Sequence, residues 1–398
     1  MQGHVMEWLN LIIRWAHVIF GIMWIGASFY FIFLENSLNR TDDVRDDLAG
    51  NLWAIHGGGF YFLEKYKIAP KVLPRSLHWF KYEAYFTWIT GFLLLIVVYY
   101  MNAKVYMIDR DVADISEGVA IMISVSSMII GWFVYDFMCK SFLIKHGLVF
   151  GIVGFAIAAA FSWGYAEVFN ARAAYIHVGA LLGTIMVGNV FMGIIPSQKA
   201  LVRAAQEKKP LDPELGKNAG LRSLHNNYIT FPVLFIMISN HFPSTFGHSY
   251  NWLILAGISA ASIVLRHYIN VLEKGKNMAY LVPIVIISFI ALLFVTAPDE
   301  GASSGASAEA DKVSFGEARS IINTHCLGCH SEYPTDDQYK IAPKGVVFDL
   351  PEHILSRADE IQKQSVNSKI MPMGNKSKMT DEEREKLGLW ISQGAKLK

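Results

Sequence analysis

The sequence predicts an all-α protein: a bundle of eight membrane-crossing helices (1–297), a flexible linker (298–311) and a small helical domain (312–398). Three observations predict it. Eight apolar stretches can cross a hydrocarbon core of about 30 Å, a Gly/Ser/Ala/acidic run without apolar periodicity follows them, and the polar remainder opens on Cys326-Leu327-Gly328-Cys329-His330. With 398 residues, 53% of them apolar, the chain is too greasy for an ordinary soluble protein, so a lipid bilayer is its expected solvent. A net charge of +1 gives no nucleic-acid footprint.

The apolar stretches run approximately 8–34, 80–101, 116–138, 145–165, 172–195, 226–242, 250–270 and 279–297, the sixth being short and interrupted by Pro232. The first has no positive leader or small-residue cleavage site and holds Arg14 and His17, so it reads as a retained span rather than a signal peptide. Basic residues gather after the odd-numbered spans, as in Arg40, Arg45, Lys65 and Lys67 after the first and Lys199, Arg203, Lys208 and Lys209 after the fifth. The opposite side carries Lys104, Arg110 and Arg172. By the positive-inside rule both termini lie outside, which in a bacterial inner membrane means the periplasm.

In the C-terminal segment two thiols at Cys-x-x-Cys spacing can add across the vinyl groups of a haem, and the next histidine can bind its iron. Cys326 and Cys329 are therefore the expected covalent haem c attachment, with His330 as axial ligand. A structural zinc or a thioredoxin-like pair is the plainer alternative, but no second Cys/His pair at ligand spacing follows. The third cysteine, Cys139, ends an apolar run and reads as a buried thiol. Met371, in Lys369-Ile370-Met371-Pro372-Met373, lies in a loop that resembles the sixth-ligand loop of c-type cytochromes, with Met373 as the alternative. Residues 314–330 read as a helix ending at the motif, and Thr380-Asp381-Glu382-Glu383 has capping-box form ahead of a closing helix. Fewer than a hundred residues bury little core, and a haem would supply the missing interior. The expected domain is class I-like cytochrome c. Covalent haem attachment in bacteria takes place outside the inner membrane, the side the charges also select. A linker of this length reaches roughly 20 Å, keeping the domain near the bilayer.

Arg75-Ser76-Leu77-His78 before the second span matches Arg222-Ser223-Leu224-His225 before the sixth, and Arg14/His17 sit at a depth similar to Arg172/His177. A four-span offset would make a 4+4 parallel repeat. Ionisable groups within spans are functional candidates, and two-electron chemistry upstream of a one-electron acceptor favours a second redox centre. Haem b on His17/His177, and another on His78/His225, are the expectations. A hydrogen-bonded core histidine is the plainer reading of each.

Arg14-Trp15-Ala16-His17, Trp24-Ile25-Gly26, Ile55-His56-Gly57-Gly58-Gly59-Phe60-Tyr61 and His78-Trp79-Phe80-Lys81-Tyr82-Glu83, fused to the Cys326–His330 motif, together resemble the bacterial membrane-bound urate oxidase (urate hydroxylase) family. The resemblance implies oxidation of urate to 5-hydroxyisourate in purine breakdown. Electrons would pass to the chain's own haem c and on to a downstream cytochrome c or terminal oxidase, without peroxide. Urate is a planar monoanion, which suits an arginine fork and amide partners. Arg14, Arg222, Asn226 and Asn227 are the candidate substrate ligands, and His56, Glu83 and His225 the candidate bases. The rival reading is a quinol-to-cytochrome c conduit or accessory oxidase subunit with no organic substrate. A transporter leaves the haem motif without a role.

Overall fold

The computed structural model describes residues 2–70, 72–297, 312–337 and 339–397. The expected linker at 298–311 falls outside the described residues. Each apolar stretch falls on a helix: α1 (Gln2–Ser37), α2 (Tyr82–Tyr106), α3 (Glu117–Lys140), α4 (Gly147–Ala166), α5 (Ala171–Gln206), α6 (Pro213–Ser239), α7 (Asn251–Glu273) and α8 (Leu281–Val295). Among the described residues, 6 of these are long and apolar enough to cross a membrane, namely α1 to α5 and α7. α6 misses because its first turns are polar, from Pro213 through Arg222 and His225. α8 misses on length, at 15 residues.

α5 is the axis of the bundle, packing against α2, α3, α4, α6 and α7. Its residues Tyr175, His177 and Leu181 are almost wholly buried, as are Trp132 of α3 and Ile236 of α6 beside it. Many large apolar side chains of α1, α3, α4 and α8 face outward, among them Leu11, Ile22, Phe133, Phe137, Ile152 and Leu293. Outward-facing apolar side chains on long helices are what a lipid environment requires.

One element departs from the all-α expectation. The segment after α1 forms an antiparallel hairpin, β1 (Leu48–His56) and β2 (Gly59–Tyr66). Gly57 and Gly58 make its two-residue turn, both at positive φ (57° and 79°), which only glycine adopts without strain. The aromatic and β-branched residues flanking that Gly-Gly pair carry the strands. Trp53, Ile55, Phe60 and Phe62 are exposed on it.

The repeat expectation also changes. Arg75 to His78 lies in an exposed irregular segment, whereas Arg222 to His225 lies inside α6, a helix begun by Asp212 as N-cap and Pro213 at its first position. The four-residue identity therefore does not carry a shared local structure.

Residues 313–395 close a second, separate core around Ile322, Phe348, Ile354, Leu387 and Trp390. Capping boxes at Ser314/Glu317 and Thr380/Glu383 start its two longer helices, α9 (Phe315–His325) and α10 (Asp381–Ser392). This unit rests on the end of the bundle where α2 and α6 terminate. Tyr339 Oη meets Tyr106 Oη at 2.8 Å, Asn375 Nδ2 donates to Asp111 Oδ2 at 2.8 Å, and Gly247 abuts Ser368.

Candidate functional site

Two clusters of buried polar side chains interrupt the apolar bundle, each built round an arginine. The first joins α3, α5 and α6. Arg222, 4% exposed, donates through NH2 to Asp136 Oδ1 (2.6 Å), through NH1 to Asn189 Oδ1 (3.0 Å) and through Nε to Asn218 Oδ1 (3.3 Å). Lys140 Nζ approaches the other Asp136 oxygen at 2.6 Å. Asn189 Nδ2 donates in turn to Asn226 Oδ1 (2.8 Å) and to Tyr135 Oη (2.9 Å). Tyr135 Oη in turn shares a hydrogen bond of 2.7 Å with His225 Nδ1. The His225 ring stacks on Phe150 at 4.6 Å.

A local irregularity makes this network possible. α5 passes through a π-helical stretch at Asn189–Ile194, a feature frequent at functional sites, which turns Asn189 inward. Gly193 lies in the same stretch, and a Cβ there would come within 2.6 Å of Arg222 Cδ. Beside the network is a cavity of about 420 Å³ whose lining includes Trp132, Asp136, Lys140, Met192, Asn218 and Arg222.

The second cluster joins α6 and α7. Arg266 Nε (3.0 Å) and Asn270 Nδ2 (2.9 Å) both donate to Asn227 Oδ1, and the Arg266 guanidinium lies 4.3 Å from the centre of the Phe29 ring of α1. Asn226 and Asn227, adjacent in sequence, thus serve different clusters because successive helical residues point about 100° apart.

The remaining expected site residues are scattered. Arg14 is exposed and donates to Asn10 Oδ1. His56 is exposed at the hairpin tip, and His78 is exposed with its ring edge on Phe80. Glu83 stands in the first turn of α2 with Oε2 buried and unpartnered. His17 Nδ1 donates to Thr87 O (3.0 Å) on α2. His177, wholly buried, donates from Nδ1 to Ala173 O (2.7 Å), and its Nε2 has no partner. Tyr99, Tyr165 and Phe169 close round it with ring centres 4.6 to 5.9 Å away. An orphaned buried nitrogen fits an axial ligand. His17 thus contacts Thr87 and Thr90 of α2, and His177 the three rings around it, while His78 meets Phe80 and His225 meets Tyr135 and Phe150.

The haem c residues fit their expected group better. His330 Nδ1 donates to Val346 O at 3.0 Å, which fixes the ring and would leave Nε2 to coordinate a haem iron. Cys326 packs against the C-terminal core that a haem would complete. Burial pushes the Cys326 thiol up to about 12 and the Cys329 thiol up to about 11. Among the described residues no group of three or more His, Cys, Asp or Glu is arranged to hold a metal ion. Met371 is pinned through its backbone, its N–H to Gln364 O and its carbonyl accepting from Arg384 NH1 (2.6 Å). The Met373 thioether instead meets Tyr339 Oη at 3.9 Å. Tyr339 in turn continues through Tyr106 and Tyr99 to His177, aromatic neighbours all the way from the docked unit into the bundle.

Sequence reasoning missed Tyr135, Asp136, Asn189, Arg266 and Asn270. For Arg266 a signal existed, as a charge inside the seventh apolar stretch. The others required knowing which helices face one another.

Fold and site together define a helical membrane protein that buries two arginine-centred polar clusters and carries a Cys-x-x-Cys-His unit at one end. More particularly, the chain belongs to the urate oxidase N-terminal family, whose model matches residues 3–297. No curated protein and no solved structure matches it. The family makes it a urate-related oxidoreductase.

Proposed function

We propose that the membrane helices oxidise urate to 5-hydroxyisourate, a step of purine breakdown, and that the C-terminal unit is a class I-like cytochrome c. Cys326 and Cys329 would hold its haem covalently, with His330 and Met371 as axial ligands. When bound, the haem supplies one-electron acceptance. The observation that carries the reading is the joining of a family-matched bundle to a Cys-x-x-Cys-His unit seated directly on it.

The chain's own part is to bind and orient the anion in a dry site and to move protons. Conversion of urate and water to 5-hydroxyisourate releases two electrons and two protons. A buried guanidinium supplies charge complementarity to the anion, and Arg222 and Arg266 both provide one. Among the candidate bases, His225 is engaged through Nδ1 by Tyr135, while Glu83 Oε2 is buried and unpartnered. The charge asymmetry of the loops, together with the docking of the C-terminal unit at the α2 and α6 ends, supports a bacterial inner membrane orientation with both termini periplasmic. A downstream cytochrome c or terminal oxidase would then take the electrons.

The test is an anaerobic optical spectrum of the detergent-solubilised protein before and after urate. Growth of the reduced c-type α-band is expected, with urate binding but no such band in the C326A/C329A protein. Reduction by a quinol with no response to urate would replace this reading with the conduit.

A further inference from the structure

Arg222 and Arg266 are not equivalent as anion sites. Arg222 already has a carboxylate at 2.6 Å and amide partners on its other nitrogens. Arg266 is 3% exposed and, among the described residues, touches no carboxylate, Glu273 attracting it only from beyond contact distance. The carboxylate of Glu273, two turns along α7, is engaged by Asn36 Nδ2 at 2.8 Å. A buried cation without a counter-charge is costly, and the cost is recovered when an anion arrives.

The cluster has more than an unmet charge. Three of its atoms are buried without a hydrogen-bond partner: Arg266 NH2, Asn227 Nδ2 and Asn270 Oδ1. Asn227 is 0% and Asn270 3% exposed. Native proteins rarely leave such atoms orphaned, and three together in one cluster point to a missing ligand. Two are donors and one is an acceptor, on a single linked set of side chains. A fitting ligand offers oxygen acceptors carrying negative charge next to an N–H donor. The face of Phe29 at 4.3 Å orients the guanidinium, and Phe231 lies 5.7 Å from it.

We propose that Arg266, Asn227 and Asn270 form the binding site for the planar substrate anion, with Arg266 NH2 and Asn227 Nδ2 donating to its oxygens and Asn270 Oδ1 accepting from a ring N–H. The Arg222 network next to it is then scaffold. This rests on the urate reading and names the residues that serve it.

The test uses the full-length, haem-loaded protein, with equilibrium dialysis of radiolabelled urate and the anaerobic haem c spectrum run in parallel. The informative variant is N227D. An aspartate keeps both hydrogen bonds that Asn227 Oδ1 accepts, and places a built-in counterion beside Arg266. The folded protein should be as heat-stable as the parent or more so, with urate bound about a hundredfold more weakly, the scale expected when a desolvated charge contact is forfeited. R266Q should show the same loss of affinity, and R266K a smaller one, because the ammonium retains charge without the fork. If R266Q does not accumulate, N227D decides. Urate binding within about twofold of the parent in folded N227D overturns the assignment while leaving the functional reading intact. A parent protein that neither binds urate nor is reduced by it removes both.

Discussion

Arg222 and Arg266 are almost equally buried, at 4% and 3% exposure, and they project from helices that pack together, yet their surroundings are opposites. Around Arg222 the chain provides a carboxylate, two asparagines and a tyrosine–histidine pair, so each guanidinium nitrogen has a partner. Around Arg266 it provides two amides and a ring, and leaves polar atoms over. Equal burial therefore does not mean equal function. A compensated arginine ties helices together, and an uncompensated one awaits something from outside the chain.

The contrast can be broken most forcefully at Asp136. D136N removes the charge partner of Arg222, and losing one member of a buried pair should destabilise the bundle by about 3 kcal/mol. A thermal melt of the detergent-solubilised protein should show a clearly lowered Tm. A smaller cost, about 1.5 kcal/mol, is expected for Y135F, which leaves Asn189 Nδ2 and His225 Nδ1 each short of a partner. If Y135F melts like the parent, the network is not a structural tie. R266Q sharpens the comparison from the other side. Because it removes a charge that no carboxylate contacts, its urate-free stability should stay within about 1 kcal/mol of the parent. A fall as deep as that of D136N would make Arg266 a structural tie as well.

The C-terminal unit offers a third, milder arrangement. Glu383 bonds the Thr380 backbone N–H and sits 3.1 Å from His325 Nε2, and these contacts hold its carboxyl below the usual 4.5. A carboxyl lowered on folding stabilises fully above its unfolded value and loses that contribution as pH falls through the folded one. The unit should therefore weaken modestly on acidification from about pH 5, as followed by Trp390 fluorescence during urea titration. E383Q should flatten that dependence.

The helices were legible because hydropathy over twenty residues is a strong signal, and the capping boxes at Ser314 and Thr380 because their pattern is local. The hairpin was not read. Gly57-Gly58 between aromatic runs is a hairpin signature, but its strands are short and lie between two long apolar stretches that dominate the eye. The Arg-Ser-Leu-His identity misled for the opposite reason, since four matching residues carry no information about what precedes them. One copy follows Pro74 in an irregular segment, and the other lies two turns inside a helix. Arg222, Asn226 and Asn227 could be singled out as polar residues in an apolar setting. That Asn226 would meet Asn189, and Asn227 would meet Arg266, depends on which faces of α5, α6 and α7 come together, and no pattern in one chain states that.

On the proposed assignment, the Arg266 cluster would also couple the amount of folded protein to its ligand. Anything that binds only the native state adds RT ln(1 + [L]/Kd) to stability, about 2.7 kcal/mol at a hundredfold excess over Kd. That increment is comparable to the loss expected from D136N. On the proposed assignment, the abundance of this protein in a cell where urate rises and falls would follow urate by mass action alone, with no regulator needed to sense it.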